Sequence, residues 1–144
     1  MNQSKANMRS EPQHSTIIYP WHPDHLDHKN PLIIEDLLKM AKSSKRVCLK
    51  KCKQMIADLF INGSQTRYKK HLGGELWELK DRTSDGGARV YYLQDLDNRF
   101  FIYHAECKTQ DSATQTLLGD GIEISEAIEA GNRIQPTWYG KKRG

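Results

Sequence analysis

The sequence predicts an α+β fold: a two-helix hairpin packed on a small, mainly antiparallel twisted sheet, in the order β-α-α-β-β-β-α. Three observations carry this expectation. Apolar residues recur at helical spacing through residues 31–61. The pattern then changes to period two, beginning at Leu76. Short clusters of turn-forming residues separate the alternating stretches, as an antiparallel meander requires.

The elements follow in chain order. Residues 1–15 are polar and aperiodic and read as a disordered N-terminal tail. Thr16 to Tyr19 is β-branched and aromatic, a first strand, and Pro20 after it suits a sheet edge. Residues 21–30, WHPDHLDHKN, read as a loop. Asn30 and Pro31 then open a helix as N-cap and first helical residue. Ile33, Leu37, Met40 and Ala41 give that helix its apolar face, and Ser43 and Ser44 interrupt it.

A second helix is expected over residues 45–61, with Cys48, Cys52, Met55, Ile56, Leu59 and Phe60 as its stripe and Asn62–Gly63 as its stop. Residues 76–82, 88–95 and 99–105 form the three-strand meander, and 122–130 a short closing helix ended by Gly131. One domain would then span residues 16–132, with a basic tail at 133–144. This layout puts both early helices on one face of the sheet and leaves the other partly open.

Bulk properties narrow the function. A length of 144 residues suits one domain. The net charge of +4 tilts the surface toward polyanions or acidic proteins. Three cysteines, an odd and sparse count, point to a reducing compartment. No apolar run is long enough for a membrane span, and the first residues lack the apolar core of a secretory signal. The expectation is a cytoplasmic protein with no membrane partner.

Three segments carry a family resemblance. They are Lys70-His71-Leu72-Gly73-Gly74-Glu75-Leu76-Trp77-Glu78-Leu79-Lys80, then Gly87-Ala88-Arg89-Val90-Tyr91-Tyr92, then His104-Ala105-Glu106-Cys107-Lys108-Thr109-Gln110. In that order, with the helical hairpin before them, they resemble the RelE/ParE superfamily of toxins, in its HigB-like and phage-derived branches. The resemblance spans residues 17–128 and so makes the segment 16–132 a RelE/ParE-like domain. It implies the toxin of a type II toxin–antitoxin module, with a cognate antitoxin protein as partner. The RelE and HigB branches cut mRNA, usually on the ribosome, whereas the ParE branch poisons DNA gyrase. The chain departs from the pattern after Gln110. Residues 111–121 intervene, and the closing helix carries Glu123, Glu126 and Glu129 where the family has a basic helix.

The residues themselves fit metal-independent RNA cleavage. A 2′-hydroxyl attacks the adjacent phosphate, so the site needs a proton acceptor, cations for the phosphorane and an acid for the leaving oxygen. Lys80 and Arg82 share the strand face opposite Trp77 and Leu79, and an antiparallel hairpin sets Arg89 beside them. The resemblance assigns basic catalytic or phosphate-holding roles at these strand positions. Arg89 is thus the expected transition-state clamp and Lys80 the proton acceptor or phosphate ligand. His104 and Lys108 end the last strand, where the family places further site residues. Lys69, Lys70, His71 and Arg82 are expected to hold the RNA backbone. On an open face, Arg89→Ala would abolish cleavage and leave the thermal transition nearly unchanged. Glu78 shares that face and could pair with one of these cations, contributing about 0–1 kcal/mol.

Other patterns carry less. His22, Asp24, His25, Asp27 and His28 are dense enough for zinc or nickel, but their spacing fits no standard motif, and an imidazole-rich loop is the plainer reading. No metal or cofactor is therefore expected. Cys48 and Cys52 read as core residues, and Cys107 alone marks no nucleophile. No glycine-rich phosphate loop or serine triad is present. Two further readings stay open: a non-catalytic binding protein of the same fold, gyrase inhibitor or decayed toxin, motivated by the acidic closing helix; and a metal enzyme using His22, His25 and His28.

Overall fold

A computed structural model describes residues 15–95, 98–109 and 113–131, and the backbone of 137–138. Six strands form one mixed sheet: β1 (Thr16–Tyr19), β2 (Lys69–Gly73), β3 (Leu76–Thr83), β4 (Gly86–Gln94), β5 (Arg99–Lys108) and β6 (Thr137–Trp138), in the order β2-β3-β4-β5-β1-β6. Strands β2 to β5 are antiparallel neighbours, and β1 joins β5 in parallel. The α+β expectation holds, with the meander where the alternation put it.

Helices α1 (Leu32–Ala41) and α2 (Arg46–Asn62) lie on one face. Their buried residues Ile33, Cys52, Met55, Ile56 and Leu59 pack on Leu79, Val90, Tyr92, Phe100 and Ile102, forming the larger core. The N-cap of α1 is Pro31 rather than Asn30, with no side-chain bond to it. The start of α2 is capped from afar: Asp85, in the β3–β4 turn, accepts the Val47 and Cys48 amides at 2.8 and 3.3 Å. A carboxylate there satisfies two unpaired donors and suits the positive end of the helix.

Four expectations are corrected. Strand β1 is not an edge: Ile17 and Ile18 are buried on opposite faces, and β6 pairs along its outer side. The expected element order lacks a strand: Lys69–Gly73 is β2, between the helical hairpin and the meander in sequence, and forms the far edge of the sheet. The second face is not open over most of its area. Helix α3 (Gln115–Glu129) sets Ile124 and Ala127 against Tyr91, Leu93 and Tyr103 there, in a second core. Finally, Cys48 and Cys107 are joined by a disulfide across 59 residues of chain, which removes the cysteine argument for a reducing compartment. Cys52 is the free, buried cysteine, and burial pushes its thiol up to about 12.

The expected N-terminal tail lies outside the described residues except for Ser15, whose amide bonds the Phe60 carbonyl. The expected C-terminal tail also lies outside them, apart from β6. Among the described residues no helix is long and apolar enough to cross a membrane.

Candidate functional site

Helix α3 stops short of the β3–β4 turn, and a cleft of about 600 Å³ opens there. Lys80, Arg82, Arg89 and Lys108 all line it, so the fold brings together four of the expected site residues. The register explains how. Lys80 stands directly opposite Arg89 on β3 and β4, and Arg82 opposite Gly87. Gly87 in turn lies opposite Lys108 on β5. Side chains opposed in antiparallel strands share a face, so Lys80 and Arg89 emerge together.

Two acidic residues also line the cleft, but both are engaged on the α2 side. Asp81 pairs with Lys51 at 3.2 Å. Slight burial opposes its ionisation, but the Arg82 amide and the Lys51 ammonium hold its carboxyl below the ordinary range. Asp85 caps α2. Among the described residues neither Lys80 nor Arg82 is in a salt bridge, so the cleft keeps a net positive lining.

Arg89 differs from the expectation. It is only 2% exposed and forms a 3.2 Å ion pair with Glu78, which is 1% exposed. Arg89 thus contributes to the cleft wall while almost wholly buried against Glu78, not standing on an open face. A guanidinium so placed is rigid and keeps its charge when desolvated. Beside it, Glu106 lies opposite Arg89 on β5 and is bonded by the Tyr91 hydroxyl. The Thr114 hydroxyl lies 3.0–3.1 Å from both Glu106 oxygens, and Lys108 Nζ donates to Thr114 at 3.0 Å. Glu106 thereby fixes the threonine that orients Lys108. Burial, reinforced by Glu106, raises the Tyr91 hydroxyl's pKa, so it stays protonated and donates. Glu78 and Glu106 were visible only as alternating charges; their partners depend on register.

The other expected residues lie elsewhere. Lys70 stands opposite Glu78, on the cleft's face of the sheet. Lys69 and His71 stand opposite Leu79 and Trp77 and so face the other way. His71 stacks near the Trp77 ring, and Lys69 Nζ lies 5.7 Å from it. His104 does not line the cleft. An extra residue in β5, Tyr103, shifts the register beside Tyr91 and turns His104 between two helices. There Nδ1 meets Asp36 of α1 at 2.5 Å and Nε2 meets Asp120 of α3 at 2.8 Å. Burial works against its protonation, but the two carboxylates outweigh it and hold its pKa above the ordinary value.

The His22–His28 loop closes on α3. His22 is 2% exposed and sits 2.6 Å from Glu123 and 3.5 Å from Asp120.

A family model described as phage-derived protein Gp49-like (DUF891) matches residues 35–118, more than half of the chain and all of the cleft's lining. No curated protein matches the chain.

Proposed function

The chain belongs to the Gp49-like family of phage-derived proteins, a family associated with RelE-like toxins of toxin–antitoxin pairs, and on that premise we propose that it is an mRNA endoribonuclease that needs no metal for the cut. One observation supports this most directly: Lys80 and Arg89, opposed across one ladder, line a single cleft with Arg82 and Lys108. Its volume falls within the range of sites that hold small ligands.

In this reading Arg82 and Lys80 bind the phosphates flanking the scissile bond. Arg89 supplies fixed positive charge beneath the pentacoordinate phosphorane, where low dielectric strengthens it. The 2′-hydroxyl proton passes to water, and Lys108 gives one to the departing 5′-oxygen, leaving a cyclic phosphate and a 5′-hydroxyl. Lys70 extends the phosphate track along the face. His104 acts at a distance, by tying α3 to α1. Targets on translating ribosomes, a cytoplasmic location and a cognate antitoxin partner belong to the same proposal.

The test is expression in bacteria with mapping of new 5′ ends, followed by cleavage of a purified RNA in EDTA. Growth arrest with new ends, lost in Lys80→Ala and Lys108→Ala, supports the proposal. Folded protein that makes no cuts, with or without ribosomes, removes it. A second reading, a non-catalytic binder, is favoured by one feature: Glu78 already neutralises much of the Arg89 charge. Inhibition of gyrase supercoiling without RNA cuts would select that reading.

A further inference from the structure

The chain closes a polar cluster between the His22–His28 loop and the middle of α3. His22, Asp24 and Glu123 each bring one ligand atom within 4.8 Å of the others. The helical residue is about a hundred positions from the loop, so no local spacing motif could show the set. His22 is anchored: its Nδ1 accepts the Asp24 amide at 3.1 Å, and its Nε2 points at Glu123 and Asp120.

The charge around that nitrogen is out of balance. The carboxylates of Asp24, Asp120 and Glu123 converge on one imidazole. Among the described residues no lysine or arginine pairs with any of them. His104 offsets only Asp120, from its other side. Like charges at such distances repel, and a bound divalent cation relieves the repulsion. One imidazole nitrogen with two carboxylate oxygens, and water in the remaining position, is a donor set for zinc. Magnesium and calcium favour oxygen-only shells.

We propose that His22, Asp24 and Glu123 form a zinc site that fastens the 22–28 loop to α3. In the metal-free chain the Nε2 hydrogen is shared with Glu123. When Nε2 binds zinc, the ring proton moves to Nδ1 and the bond from the Asp24 amide opens. That bond caps a helical turn of only three residues, Pro23–His25, so the turn can shift and swing the Asp24 carboxylate inward. Asp120 stays outside the coordination shell, held by His104. His25 and His28, with Nδ1 and Nε2 3.0 Å apart, sit alongside on the solvent side.

The experiment uses untagged full-length protein stripped with EDTA and titrated with zinc chloride by calorimetry, with melting temperature followed in parallel. The expected result is one ion per chain, a raised melting temperature, and no response to magnesium. Nitrogen NMR of His22 should show the proton moving from Nε2 to Nδ1. Glu123→Gln and Asp24→Asn should each weaken binding at least about tenfold, and both lie on the surface, so folding is preserved. The double variant His25→Ala/His28→Ala should bind as the parent does. Absence of stoichiometric uptake overturns the proposal. So does uptake that survives Glu123→Gln and disappears when His25 and His28 are replaced.

Discussion

Glu78 and Arg89 form an ion pair at 3.2 Å with 1% and 3% of their side chains exposed, on the sheet face that also carries the cleft. An isolated buried charge is costly, so each partner's presence depends on the other. Glu78→Ala and Arg89→Ala should each destabilise the fold by about 3–5 kcal/mol. Urea unfolding checks this through the midpoint at constant slope. The double variant should lose less than the two single costs added together. Arg89→Ala is therefore a poor functional probe, contrary to what an open face would allow. Arg89→Lys keeps the charge and removes only the planar fork, so loss of cutting at near-native stability would report the clamp.

The cations above that pair behave differently. Lys80→Ala and Arg82→Ala should each change stability by no more than about 0.5 kcal/mol, the range of ordinary surface substitutions; Lys108→Ala also breaks the bond to Thr114 and should cost about 0.5–1.5 kcal/mol. Each should weaken RNA binding across sequences. The logarithmic salt dependence on single strands should flatten by about 0.7 for each phosphate no longer neutralised. Lys69→Ala, on the opposite face, is the control and should leave the slope unchanged. An equal effect of Lys69→Ala would place the RNA elsewhere.

What was legible in the chain was whatever burial writes into period. The stripe of α2 and the alternation of Trp77 and Leu79 reported the first core, and with it the pairing of Lys80 with Arg89. Strand β2 left no such mark, because Lys69, Lys70, His71 and Gly73 are exposed and the strand is held by backbone bonds at an edge. Helix α3 was expected a turn or more too late. Gly119, Asp120 and Gly121 have poor helix propensity, and packing against Tyr103 overrides it. The Asp85 cap, the Cys48–Cys107 bridge and the Asp36–His104–Asp120 set each join residues far apart in sequence. No local pattern encodes them. His104 looked like a site residue for the same reason: strand alternation does not show that an extra residue turns it away.

His104 gives a pH prediction. Its two carboxylates raise its folded-state pKa above the unfolded value of 6.5. Below 6.5 both states are protonated and the stabilisation is fully present. As pH rises through that value the unfolded chain releases its proton first, and stability falls until the folded value is passed. Unfolding free energy measured from about pH 5.5 upward should decline for the parent. His104→Gln, which cannot titrate, should lose that decline. Parallel curves for the two proteins would show that the imidazole stays neutral between Asp36 and Asp120.

Two glycines in α3 should respond in opposite directions to one methyl group. A methyl carbon added at Gly119 would meet nothing within 4 Å, so alanine there adds only helix propensity. Gly119→Ala should stabilise by about 0.5–1 kcal/mol. Gly121 is buried, and a methyl carbon there would collide with the Tyr103 ring and lie 2.9 Å from Leu76 Cδ2. Tyr103 is fully buried beneath the helix and has nowhere to move. The propensity gain is the same, but overpacking costs about 1–3 kcal/mol, so Gly121→Ala should be net destabilising or at best neutral. Thermal unfolding of the two variants compares them directly. If α3 lies on the sheet as described, Gly119→Ala melts above the parent and Gly121→Ala does not; equal gains at both positions would mean that the helix does not rest on Tyr103.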